Sequence, residues 1–192
     1  VETTSLDYMD KREELRCFGI SPRPHLSYVF KPNQENLDHA SRIFTGKEFV
    51  INHNIKFDMQ WFRRYGVLVK SPVFCTQVAK HMLDENSMDK SLKTLARTEE
   101  GMTNLTGDTD QMYAMLDRKE TDWEILRKGN GGDCDAAMRL FLRYKKQLQE
   151  ENLMDLMTTE MKVLKTLERM ESFGFQIDRK VHKELMRYYE RI

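Results

Sequence analysis

The chain has 192 residues, 40% of them hydrophobic and 32% charged, the make-up of a water-soluble globular protein with one full core and a short appendage. Its 31 basic and 31 acidic side chains cancel to a formal charge of zero. The basic sheath of a duplex binder is therefore missing, and any contact with nucleic acid must rest on local geometry and bound ions.

Cys17, Cys75 and Cys134 are far apart, odd in number and form no CxxC pair. That argues for a reducing compartment and against a disulfide scaffold or a zinc site. The chain opens on the polar run Val1-Glu2-Thr3-Thr4, unlike a signal peptide, and no apolar run approaches the ~20 residues that span a bilayer. The expectation is a cytoplasmic protein with no membrane contact.

The first 50 residues read as short strands. Residues 16–21 and 26–30 are β-rich and are separated by Pro22 and Pro24, a turn signal. Leu37, Ala40, Ile43 and Phe44 recur at helical spacing and predict a helix over about 34–44. Phe49-Val50-Ile51 is a short buried strand ending at Asn52-His53-Asn54. A helix follows, with Phe57, Trp61, Phe62 and Tyr65 on its packing side and Gly66 as C-cap. Arg63 and Arg64 on that helix read as a solvated face. Val73-Phe74-Cys75 is another strand, leading into a helix through Val78, Met82 and Leu83. From Ser91 onward the pattern is helical, with breaks expected near Gly101–Gly107 and at Asn130-Gly131-Gly132. Strands first, with helices between and after, fit a mixed sheet packed by helices. The amphipathic stretch from Thr158 to Arg191, interrupted at Gly174, reads as the start of another unit.

Acidic residues stand where chemistry is easily mounted. Glu2 is at the tip of the opening strand, Asp58 in the first turn of the helix after Asn54, and Asp133 at the expected start of a helix after the glycine pair. Hydrolysing a phosphodiester needs an activated water and neutralisation of charge on the leaving oxygen, which two hard divalent ions supply. Such ions take carboxylate oxygens. Strand ends and first helical turns are rigid mounts for them. Carboxylates also favour helix N-termini through the dipole alone, so no single one of these acids is decisive. Asp135 rivals Asp133: two residues apart on a helix they face different ways, and one of them can join a cluster.

The wording around these acids resembles the DEDD exonuclease superfamily, specifically the 3′→5′ proofreading exonuclease domain of family A (DNA polymerase I-like) DNA polymerases. That family's opening Asp-x-Glu-Thr appears as Val1-Glu2-Thr3, with the motif's Asp falling before Val1. Its Asn-x-Lys-(Phe/Tyr)-Asp is matched in full by Asn54-Ile55-Lys56-Phe57-Asp58, and its Ser-Leu-Lys-x-Leu-Ala by Ser91 to Ala96. Asp133-Cys134-Asp135-Ala136-Ala137 matches the third motif, but the tyrosine expected four residues earlier is Gly129. Residues 168–178, with Met170-Glu171, Gly174-Phe175 and Ile177-Asp178, resemble the passage into the polymerase region.

The resemblance implies an RNase H-like α/β fold: a mixed five-stranded sheet with helices on both faces, and a C-terminal helix leading into a polymerase region. It divides the chain into an exonuclease domain (1–157) and the start of the polymerase region (158–192). It implies two divalent metal ions, Mg²⁺ or Mn²⁺, with Glu2 and Asp133 holding the one that activates water and Asp58 the second. Thr3 and Leu6 would pack against the terminal nucleotide, and Asn54 would shape the site. Leu6 reads equally as a strand-side core leucine. The partners implied are the 3′ end of single-stranded DNA and the polymerase domain of the same parent chain. The alternatives are a catalytically lapsed module of the same fold that holds DNA, which Gly129 favours, and a ribonuclease D-like RNA-trimming enzyme, which residues 168–178 oppose.

Overall fold

The computed structural model describes residues 1–46, 48–103, 105–117 and 122–190. Three strands come first: β1 (Glu2–Thr3), β2 (Leu15–Arg23) and β3 (Leu26–Phe30). After α1 (Gln34–Ile43) the chain alternates through β4 (Val50–Asn52), α2 (Ile55–Arg64), β5 (Val73–Cys75) and α3 (Thr76–Leu83). It is helical thereafter: α4 (Leu92–Glu100), α5 (Leu105–Asp117), α6 (Trp123–Glu150), α7 (Met154–Phe173) and α8 (Arg179–Tyr189).

The side-chain alternation of β2 decides what covers each face. Phe18 points to one side, where its ring meets Phe62 of α2 edge-on at 5.5 Å, and Phe62 in turn meets Phe44 at 4.9 Å. Cys17 points to the other side, into a cluster with Met112 and Met115 of α5 and Leu126 of α6. Burying rings of this size contributes about 1.5–3 kcal/mol each. The two faces are thereby closed by different helices.

The sheet departs from the five-stranded expectation. Among the described residues it forms two pieces, an antiparallel β1-β2-β3 and a parallel β4-β5. Two-residue β1 is bulged between Glu2 and Thr3, and its ladder runs to β2 alone. So short and irregular a strand leaves few backbone groups in register for a second neighbour.

A second correction concerns Asn130-Gly131-Gly132. No break occurs there, and α6 runs unbroken from Trp123 to Glu150. The glycines serve close packing. A Cβ on Gly131 would lie 2.9 Å from Ser27 Oγ of β3, and one on Gly129 would lie 2.5 Å from Met112 Sδ of α5. Each glycine in a helix interior costs roughly 1 kcal/mol relative to alanine. Tertiary contact with β3 and α5 outweighs that cost, and Asp133 consequently sits well inside a helix. The break expected at Gly101–Gly107 reduces to the C-cap at Gly101, φ 65°, with α5 resuming at Leu105; Asn104 lies outside the described residues.

Arg63 and Arg64 are not a solvated face. The Arg63 guanidinium grips the buried carboxylate of Glu168 on α7 through two bonds of 2.7 Å. Lys56 and Gln60 of α2 hold Glu171 at 2.6 and 2.8 Å. Arg64 donates to the carbonyls of Tyr8, Asp10, Lys11 and Glu13, tying down the segment between β1 and β2. Helix α7 is thus clamped along α2 and ends at Gly174, φ 65°. Helix α8 follows with no buried residue.

Burial alone would raise the Glu168 carboxyl, but Arg63 and Ser172 outweigh it and hold the group below its ordinary range. A depressed carboxyl stabilises the fold above its unfolded pKa and loses that contribution as pH falls. Arg63→Met should therefore cost about 2–3 kcal/mol, less than the ~3–5 of a fully enclosed pair because the arginine is partly exposed. Urea titration at pH 7 checks this, and the gap between variant and parent should narrow below pH 4. A companion change, Gly129→Ala, should lower the urea midpoint by about 1–2 kcal/mol of stability, since overpacking against Met112 exceeds the ~1 kcal/mol gain in helix propensity.

Candidate active site, a carboxylate-lined cleft

Glu2, Asp58 and Asp133 arrive from three elements and line one cleft of about 720 Å³. Pairing of β1 with β2, which sets Glu2 opposite Cys17, carries the Glu2 side chain into the interior. Asp58 enters on the first turn of α2. The tight reversal from β4 into that helix is made by Asn54 in the left-handed region, φ 54° and ψ 45°, a conformation asparagine tolerates better than most residues. Asp133 projects from the middle of α6.

Each acid has a different set of partners. Glu2 Oε1 accepts from Asn130 Nδ2 at 2.9 Å. Asp58 Oδ2 accepts from Asn52 Nδ2 at 2.5 Å, and its Oδ1 from the amino group of Val1 at 2.8 Å. Asp133 Oδ1 is buried and has no hydrogen-bond partner among the described residues. Asn130 and Asp133, three apart on α6, share one helix face.

Burial is the largest influence on all three acids and disfavours their charged forms. It raises Glu2 and Asp58, against the opposing pull of the Val1 amino group and the asparagines. Asp133 is pushed up to about 8, first by burial and then by the neighbouring Glu2. Hard oxygen donors are the set a divalent cation favours, and the orphaned Asp133 Oδ1 fits such an ion. Among the described residues no three His, Cys, Asp or Glu side chains stand close enough together to ligate one ion. The three acids share the cleft without closing to ligand spacing.

Thr3 and Asn54 also line the cleft, as does Leu6, which is 85% exposed and so is not a core leucine. The Thr3 hydroxyl donates to Ser5 O at 2.7 Å. Asp135 is elsewhere: it accepts from His25 N at 2.6 Å and from Arg139 at 2.7 Å, anchoring the turn between β2 and β3. Of the two acids on this segment, Asp133 is the one lining the cleft.

Four cleft residues escaped the sequence reading as site residues. Asn52 was visible as a neighbour of the Asn54 motif, and Asn130 at helical spacing from Asp133. Lys93 falls inside the Ser91 to Ala96 match; its ammonium lies 4.9 Å from the ring centroid of Tyr113 and pairs with Asp110. Tyr113 carried no sequence signal, because α5 brings it to the cleft by packing on α6. Burial, then Glu2 and Asp133, push its phenol above the usual range, so it stays protonated.

No described helix is long and apolar enough to cross a membrane. Over 194 residues the chain is 22% identical to "DNA polymerase DpoZ" of Acinetobacter phage SH-Ab 15497, an alignment covering 92% of this chain and 30% of the phage protein. The chain thus spans less than a third of that relative's length. A family model described as 3'-5' exonuclease matches residues 1–149, the part that holds β1 to β5, most of α6 and every carboxylate of the cleft. On that match the chain belongs to the 3'-5' exonuclease family of DNA polymerase A.

Proposed function

We propose that this chain is the metal-dependent proofreading domain of a longer DNA polymerase, removing 3′-terminal nucleotides from DNA. The observation that carries the reading is one cleft lined by three carboxylates, Glu2 and Asp58 buried and Asp133 half-buried with an orphaned oxygen. Residues 1–157 would form the exonuclease domain and 158–192 the start of the polymerase region. The two sheet pieces would be parts of one RNase H-like sheet. The setting would be the cytoplasm of a bacterium or of an infected cell.

Glu2, Asp58 and Asp133 would hold two Mg²⁺ or Mn²⁺ ions. Bound there, the ions supply an activated water and neutralise charge on the leaving oxygen. The chain's own residues do the rest. Asn130 and Asn52 orient the Glu2 and Asp58 carboxylates by donating to one oxygen of each, and the second Asp58 oxygen accepts from the Val1 amino group. Thr3 and Asn54 line the floor where the terminal nucleotide of a single strand would lie. Exposed Leu6 stands at the rim, where an apolar wedge can separate stacked bases.

The amino group of Val1 touches Asp58, so a residue joined at that nitrogen enters the carboxylate cluster. An Asp placed before Val1 should therefore complete the ligand set. The chain as it stands should show near-background hydrolysis of single-stranded DNA. The Asp-extended chain should release mononucleotides from the 3′ end in Mn²⁺, followed as a gel time course on a 5′-labelled oligonucleotide. On that background Asp133→Ala should abolish release, while Asp135→Ala should keep it, because Asp135 faces the turn between β2 and β3. An intact label with Mn²⁺ and the extended chain would mean a lapsed, DNA-holding module. Calorimetric titration with Mn²⁺ gives a second readout: binding should tighten at least tenfold on adding the Asp and weaken on Asp133→Ala.

A further inference from the structure

Lys56 stands inside the Asn54 to Asp58 motif and Glu171 inside the C-terminal run 168–178, and the fold joins the two. Lys56 Nζ donates to Glu171 Oε1 at 2.6 Å, and Gln60 Nε2 donates to Oε2 at 2.8 Å. Lys56, Gln60 and Arg63 recur at i, i+4 and i+7 and form the face of α2 that meets α7. Asp58, two residues beyond Lys56, points to the other side of the helix and lines the cleft. The backbone carbonyl of the same Glu171 accepts from the Tyr8 hydroxyl at 3.2 Å.

Tyr8 belongs to the segment between β1 and β2 that presents Leu6 at the cleft rim. Among the described residues, the hydrogen bonds from residues 6–13 to other elements run to Arg64 of α2 and to this carbonyl. One residue of α7 therefore holds α2 through its side chain and the Leu6 segment through its main chain. The Lys56 and Glu171 side chains are 33% and 45% exposed, so their pair adds little to stability. What it fixes is placement: an acid and an apolar side chain that reach the cleft from separate elements are tied to a single point.

We infer that Glu171 is a positioning residue for the cleft, bracing the helix that carries Asp58 and the segment that carries Leu6 in one register. This rests on the exonuclease reading above, yet Glu171 lies outside residues 1–149 that the family model matches. It gives Lys56 a role as the tie between α2 and α7, not as a contact to substrate phosphate.

The test has two arms. In the first, the Asp-extended chain acts on a 5′-labelled single-stranded oligonucleotide in Mn²⁺. Glu171→Ala and Lys56→Met should each lower kcat about tenfold, short of the ~10²-fold that a 1 Å misplacement costs, with KM within about twofold. Their melting temperatures should barely move. The two changes combined should lower kcat no further than Glu171→Ala alone, because both remove one contact. Lys56→Glu with Glu171→Lys, which rebuilds the pair reversed, should recover most of the loss. Arg143→Gln, which breaks a pair with Glu100 outside the cleft, should leave kcat unchanged. In the second arm the chain without the added Asp meets trypsin in the absence of metal. Glu171→Ala and Tyr8→Phe should each speed cleavage after Lys11 and Arg12 about fivefold, the population change for one lost hydrogen bond.

An active parent with an unchanged kcat in Glu171→Ala overturns the inference. So does a raised KM in Lys56→Met alone, which would make Lys56 a phosphate contact, and so does a kcat loss in Arg143→Gln as large as in Glu171→Ala. Unchanged trypsin rates overturn the brace on the Leu6 segment. An extended parent with no turnover overturns the exonuclease reading alone, and the trypsin arm then still decides whether Glu171 braces that segment.

Discussion

Helix α6 lies against its neighbours at three places where a Cβ is missing, and the arrangement of the cleft follows from that. Gly131 lets β3 approach through Ser27, and Gly129 lets α5 approach through Met112. Gly19 of β2 is the third: a Cβ there would collide with the Asn130 amide and sit 2.6 Å from Cys134 Sγ. Because β2 is bare at that point, Asn130 can reach past it to Glu2 on β1. Asp133, one turn further, then enters the same space. A side chain at Gly19 would collide with the Asn130 amide that donates to Glu2, and one at Gly131 or Gly129 would crowd Ser27 or Met112.

Zero net charge and a strongly acidic cleft are compatible because the positive charge is spent elsewhere. Arg63 and Lys56 hold α7, Arg64 holds the segment before β2, and Arg139 holds Asp135. Among the described residues, the Val1 amino group and Lys93 are the cations that remain in the cleft, and burial outweighs their pull on Glu2, Asp58 and Asp133. Asn130 and Asn52 add hydrogen bonds to Glu2 and Asp58 without adding charge. Such a site is costly for the fold and suited to a cation, since a metal would relieve the same strain that burial creates.

The bonds between α2 and α7 join that cleft to the C-terminal part of the chain. Asp58 sits on α2 between Lys56 and Gln60, and both of those reach Glu171. The helix that carries a cleft carboxylate is the one that anchors α7. Beyond Gly174, α8 exposes Val181, Leu185, Met186, Tyr188 and Tyr189 and buries nothing, unlike every other described helix with defined burial.

Much of this was legible in the amino-acid order. Period-2 and period-3.6 patterns depend on neighbours in the chain, so β2, β3, α1, α2 and β5 fell within a residue or two of expectation. Asn54 to Asp58 could be read as one device because a strand, a left-handed turn and a helix start are consecutive. What sequence order alone left open involves contacts between elements far apart in the chain. The run Asn130-Gly131-Gly132 reads locally as a helix break, and only the surfaces of β3 and α5 show why helix survives there. Asp135 rivalled the chosen Asp133 on local sequence, and the turn between β2 and β3 claims it. Arg63 and Arg64 looked solvated until partners more than 50 residues away supplied their carboxylate and carbonyls. Tyr113 had no motif around it at all. Local sequence determined the elements and the identities of the acids; tertiary packing decided which groups meet, because close approach depends on the atoms that two distant surfaces lack as much as on those they carry.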